Sequence, residues 1–116
     1  MRRALATIVA TSLLAGACGA APTDTRVASV FNVRAEPALG CWPWKPSQLR
    51  SLLVVAHKTM PCGTRVRVCY TRCVTARVRD RGPYVAGRDF DLSLETADAA
   101  GVPYGVYRVR VTVLGR

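Results

Sequence analysis

Arg65-Val66-Arg67-Val68-Cys69-Tyr70-Thr71-Arg72-Cys73-Val74-Thr75-Ala76-Arg77-Val78-Arg79 is the stretch that decides the fold class. From Arg65 to Tyr70 polar and apolar residues alternate, so successive side chains point to opposite faces and one face is apolar, as in a half-buried strand. Val74 to Arg79 is its partner, joined through Thr71-Arg72-Cys73, and the two form a hairpin.

Working outward, Val106 to Leu114 alternates most cleanly, with Val106, Arg108, Arg110 and Thr112 on one face and Tyr107, Val109, Val111 and Val113 on the other. Its arginines can reach solvent on long stems that still cover apolar surface. Leu52 to Ala56 is apolar and β-branched in its middle, a buried strand that delivers His57 at its end. Asp80-Arg81-Gly82-Pro83 ends the hairpin, and Asp91-Leu92-Ser93 opens a short helix with Ser93 as cap, Glu95 in the first turn and Gly101 as stop. Upstream, Pro22 to Thr25 reads as a flexible lead and Val27 to Val33 as a first strand. Pro37, Gly40, Pro43 and Pro46 then break the chain into a loop pinned by Cys41. Trp42 and Trp44 on that loop either stack on a sugar ring or cover a thin core. The class is mainly β, with one or two short helices, in one domain over residues 26–116. The helical stretch is too short for the crossovers of a layered α/β fold, and a small closed or nearly closed barrel would remove exposed sheet edges. Periodicity does not choose the barrel's topology.

The amino terminus has its own logic. Arg2 and Arg3 precede an apolar run from Ala4 to Ala17 and the small residues Gly16 to Ala21, the layout of a secretory signal segment over residues 1–20. That run is shorter than the roughly 20 apolar residues of a membrane span. Cleavage after Ala20 removes Cys18. Cleavage after Ala17 leaves Cys18 as a new terminus open to lipid attachment, although Ala15 stands where a lipoprotein box carries leucine. Either route leaves Cys41, Cys62, Cys69 and Cys73 of the five cysteines. An even set in a small exported domain reads as two disulfides, with three pairings open, and no CxxC pair invites zinc. The formal charge of +10 is carried almost wholly by arginine and draws the protein to anionic partners. Export makes that partner an acidic wall polymer, peptidoglycan or anionic lipid and not nucleic acid.

His57-Lys58-Thr59-Met60-Pro61-Cys62-Gly63-Thr64, Asp80-Arg81-Gly82-Pro83-Tyr84 and Gly87-Arg88-Asp89-Phe90-Asp91-Leu92-Ser93 together resemble the signature of the rare lipoprotein A family. Its fold is a six-stranded double-psi β-barrel, shared with expansins and barwin-type proteins. The resemblance covers about residues 54–114 and implies action on bacterial cell wall; together with the amino-terminal segment the expectation is a monomer, exported or lipid-anchored. Some members are lytic transglycosylases, which cut between N-acetylmuramic acid and N-acetylglucosamine and leave a 1,6-anhydro end without using water. By that analogy Asp80 is the catalytic acid, His57 the histidine beside it and Asp91 a supporting aspartate, with Arg81, Gly82, Pro83 and Tyr84 around them and Arg88 as a substrate-binding candidate. No metal or organic cofactor is implied. The cysteine-bearing subgroup pairs Cys41 with Cys62, which leaves Cys69 with Cys73.

The chemistry agrees in outline. Glycoside cleavage needs a carboxylic acid to protonate the leaving oxygen and negative charge near an oxocarbenium-like transition state. Asp80 would give that proton and, once ionised, take one from the muramic 6-hydroxyl as the anhydro ring closes. His57 would orient Asp80 or share the transfer. Arg81 and Arg88 bind wall carboxylates or only pair with Asp89 and Asp98. The pattern departs from the family upstream: Ala28-Ser29-Val30-Phe31-Asn32 keeps only the start of one motif, and the acidic residue of many enzymes has no counterpart at its place, Glu36 being the nearest carboxylate but on the far side of Cys41. The rivals to an enzyme are a non-catalytic, expansin-like module that binds polysaccharide, and a barrel used as the scaffold of an extracellular inhibitor.

Overall fold

The computed structural model describes residues 22–41 and 45–116. The signal segment, the lipid-attachment candidate Cys18 and the stacking candidates Trp42 and Trp44 lie outside the described residues. Six strands, β1 (Thr23–Phe31), β2 (Val54–Ala56), β3 (Arg65–Cys69), β4 (Cys73–Asp80), β5 (Phe90–Ser93) and β6 (Tyr107–Gly115), carry one helix, α1 (Leu94–Ala100), between the last two, with 3-10 turns at Val33–Ala35 and Pro46–Gln48. They close in the order β1-β5-β2-β4-β3-β6. The pairs β1–β5 and β2–β4 are parallel and the other four antiparallel, so the fold is the expected mainly β, six-stranded double-psi barrel. Closure leaves no long sheet edge to pair with another chain.

The alternation seen in the sequence becomes the barrel interior. Val66 and Val68 of β3, Ala76 and Val78 of β4, and Val109 and Val111 of β6 are buried with Ala28, Val55, Phe90 and Leu92. Val33, Leu39 and Val54 form a smaller second cluster. Val33 is thus not the end of the first strand but a buried anchor in a turn. The strand itself begins at Thr23, inside the stretch that reads as a flexible lead, because Thr23 to Ala28 finds an antiparallel partner in Tyr107 to Thr112. A ladder partner far along the chain outweighs the weak local preference of Thr and Asp.

Asp91-Leu92-Ser93 also differs from expectation, being the end of β5 and not a helix opening. Ser93 is at once the last strand residue and the helix cap: its hydroxyl accepts from the Thr96 amide at 3.1 Å and from the Val54 amide at 3.3 Å, and donates to the Leu52 carbonyl at 2.6 Å. The cap therefore also fastens β2. At the other end Gly101 takes φ +77°, and the β3–β4 hairpin tip covers the helix carboxyl terminus. Thr71 and Arg72 amides donate to the Ala100 carbonyl, while the Arg72 guanidinium donates to Ala99 and Asp98 carbonyls at 3.2 and 2.8 Å. A cation on open carbonyls is favourable there. The Cys69–Cys73 disulfide closes this tip and Cys41–Cys62 ties the long loop to the turn between β2 and β3, the pairing that the resemblance implies.

Leu92 is fully buried between β1 and β2, so Leu92→Ala is expected to lower stability by about 3 kcal/mol. Urea unfolding should show a lower midpoint with an unchanged slope.

Candidate functional site

Sheet order assembles the site. Ser29 of β1 is registered with Asp91 of β5, Asp91 with Ala56 of β2, and Ala56 with Asp80 of β4. Along β2 and β4 the register runs Val54 to Arg77 and Val55 to Val78, then shifts so that Asp80 and not Arg79 stands beside Ala56. Such an irregularity re-aims a side chain at a strand end. Asp80 and Asp91 thereby flank one small buried alanine and face a common open cavity of about 370 Å³, lined also by Ser29, Glu36, Arg81, Gly82, Pro83, Tyr84 and Arg88. Glu36, on the wrong side of Cys41 in the sequence, lines the cavity from the end of the turn at Val33–Ala35, which it caps. It and Ser29 are the residues that sequence reasoning did not place in the site.

Backbone amides hold Asp80. Its Oδ1 accepts from the Gly40 amide at 2.6 Å and from the Arg81 amide at 2.8 Å, and among the described residues nothing donates to Oδ2. Gly40 is required by close approach, since a Cβ there would lie 2.6 Å from Arg81 Cγ and 2.9 Å from the Arg81 nitrogen. Gly82 takes φ +108° and is buried with Pro83, while Tyr84 extends into solvent. Asp91 Oδ1 accepts from the Ser29 hydroxyl at 2.8 Å. Burial pushes the Asp91 carboxyl above its usual value and the Asp80 charge adds to this, against the Ser29 hydrogen bond and the Arg88 charge, which lower it.

Arg81 and His57 behave differently from a substrate-facing pair. The Arg81 guanidinium donates from Nη1 to the His57 and Met60 carbonyls at 3.2 and 2.6 Å and from Nη2 to Cys62 Sγ at 3.0 Å. It is a strut inside the protein and pairs with neither Asp89 nor Asp98. Asp89 instead accepts from the Val27 amide at 2.9 Å. The His57 amide donates to the Asp80 carbonyl at 3.2 Å, but the ring packs against Phe90 and lines a separate cavity of about 300 Å³ with Arg26, Met60 and Asp89. Its Nδ1 accepts from the Thr59 and Met60 amides at 3.2 and 2.9 Å, which requires an unprotonated Nδ1. Burial and the Arg81 charge accordingly lower the His57 pKa, with Asp89 opposing. Among the described residues no cluster of three or more His, Cys, Asp or Glu is placed to hold a metal ion.

The sequence profile described as lytic transglycolase matches residues 49–111, more than half of the 116 residues. The chain belongs to this family. A Nostoc protein named "Probable endolytic peptidoglycan transglycosylase RlpA" is 47% identical over 68 residues, covering 55% of this chain and 18% of that protein. The endolytic peptidoglycan transglycosylase RlpA of Campylobacter jejuni is 40% identical over 70 residues, covering 57% of this chain and 26% of that one. The chain thus spans about a fifth to a quarter of the length of the curated relatives it matches. Among solved structures, an apo expansin of Clavibacter michiganensis superposes with a TM-score of 0.64 over 80% of this chain and 50% of the expansin, at 19% identity, a likeness of fold. His57, Asp80 and Asp91 fall inside the family stretch, whereas Ser29 and Glu36 line the Asp80 cavity, and Gly40 bonds Asp80, from outside it.

Two outcomes follow. Gly40→Ala forces Arg81 or the segment before Cys41 to move and should destabilise the domain by about 1–3 kcal/mol, read as a lower thermal midpoint. His57 is the single histidine, so its ring protons in a nuclear magnetic resonance titration should give a midpoint below 6.5. The unfolded ring binds a proton near 6.5 while the folded ring resists it, so its linkage contribution makes stability fall as pH drops below about 6.5 and levels off under the folded midpoint.

Proposed function

We propose that this domain cleaves peptidoglycan glycan strands as a lytic transglycosylase, with Asp80 carrying the proton transfers. The observation that carries the reading is the shared cavity in which Asp80, held on one oxygen by two backbone amides, leaves the other oxygen open beside Asp91 and Glu36. Protonated Asp80 gives its proton to the glycosidic oxygen, the bond from that oxygen to muramic C1 breaks, and the muramic 6-hydroxyl attacks C1. The proton of that hydroxyl returns to Asp80, so water is not consumed and the acid is restored. Asp91 and Glu36 supply negative charge to the positive transition state. His57 is a positioning residue, acting through its amide on the Asp80 backbone and through the loop that Arg81 binds. Tyr84 and Arg88 contact the sugar and its lactyl carboxylate. The two disulfides agree with an exported protein, released after its signal segment is removed or tethered through lipid on Cys18.

A second reading has its own support. The His57 ring and Asp80 do not share one cavity, and a groove that lacks a second aligned proton-transfer group suits retention of polysaccharide over cleavage. The two readings part on one experiment. Oxidised protein is incubated with intact and peptide-stripped peptidoglycan and the released fragments are weighed by mass spectrometry beside Asp80→Asn. Anhydro-ended fragments that fall by at least about a hundredfold in the variant support the enzyme. Wall binding by both proteins with no fragments supports the module.

A further inference from the structure

A cavity wider than the one at Asp80 lies elsewhere on the barrel. It measures about 600 Å³, shares no lining residue with the Asp80 cavity, and is walled by Arg50, Arg65, Arg77 and Arg79 over an apolar floor that includes Leu53 and Ala76. Among the described residues no Asp or Glu lines it. Arg65 and Arg77 are directly opposed across β3 and β4, a like-charge placement that destabilises a sheet. Burial and the Arg77 charge lower the Arg79 pKa, yet a guanidinium stays charged at any physiological pH, so proton loss cannot relieve the repulsion. Asp24 pairs with Arg26 and Glu95 with Arg34, both outside this cavity. Arg77 is fixed in direction by a 2.9 Å hydrogen bond from Nη1 to the Gly63 carbonyl. All four cations are arginine and none is lysine, and the planar guanidinium fork matches the two oxygens of a carboxylate or phosphate.

We propose that this arginine cavity is a binding site for the forked oxyanions, carboxylate or phosphate, of an acidic polymer, separate from the Asp80 cavity. The apolar floor strengthens each contact by lowering the local dielectric, and the bound anion relieves the repulsion between Arg65 and Arg77. Arg79 and Asp80 are consecutive in β4, so a polymer seated here is held beside the mouth of the barrel.

The site is tested by fluorescence polarisation on the oxidised protein carrying Asp80→Asn, which makes the result independent of cleavage. The probe is fluorescein-labelled decaglutamate, with inorganic tripolyphosphate as a second ligand and competitor. Arg65→Gln with Arg77→Gln is expected to weaken binding by about tenfold or more. Arg108→Gln with Arg110→Gln removes the same charge from exposed β6 outside the cavity and should weaken it by no more than about threefold. Arg65→Lys keeps the charge, loses the fork, and should still weaken binding by about fivefold; it decides the matter if loss of the Arg77 bond to Gly63 unfolds the double variant. Tighter binding of decaglutamate assigns the site to carboxylates and tighter binding of tripolyphosphate to phosphates. Equal losses in the two double variants, an unchanged Arg65→Lys, or no binding of either probe at low salt would overturn the proposal.

Discussion

The guanidinium of Arg81 gathers the mouth of the barrel. It spans from the end of β4 to the His57 and Met60 carbonyls and to Cys62, which is itself bonded to Cys41. Three segments far apart in the chain therefore meet at one side chain. Gly40 packs directly on its stem, and the Gly40 and Arg81 amides close on Asp80 from either side. A lysine could satisfy one of these carbonyls but not the forked set, so this position depends on geometry and not on charge alone. What looks in the sequence like a cation for substrate is used up inside the protein, and the carboxylate next to it is what remains for the cavity.

The second constraint is the register of β2. With only three residues it has to align β5 on one side and β4 on the other, and its irregular pairing at Ala56 brings Asp80 and Asp91 to the same level. Two acids brought together in this way influence one another, and Asp91, the one for which burial dominates, holds its proton more strongly than a free aspartate. Ser29 tempers that shift from β1. The family stretch thus contains the acids, while the less family-like amino-terminal part contributes the groups that orient them, together with Glu36.

Charge on the barrel is distributed by the same alternation that builds its core. Each apolar residue of β3, β4 and β6 that turns inward leaves a neighbour turned outward, and these neighbours are largely arginine: Arg65, Arg67, Arg77, Arg108 and Arg110. The result is a positive exterior beside a cavity of carboxylates, two fields of opposite sign on one small barrel.

The sequence by itself determined the hairpin, the last strand, the cap and stop of the helix, and the three motifs that carry the family likeness, because each rests on neighbours a few residues apart. Period-two alternation names a strand, and Ser93 and Gly101 name helix ends by local hydrogen bonding and by backbone freedom. It did not show β5, a four-residue strand that runs straight into the helix, nor Thr23 as the start of β1, whose ladder partner lies 89 residues away at Thr112. Only the tertiary structure decided that Glu36 and Ser29 join Asp80 and Asp91, that Arg81 is a strut, and that the His57 ring turns to its own cavity. Those facts depend on chain closure and on register between distant strands, and a one-residue shift in register re-aims a side chain without changing any local pattern.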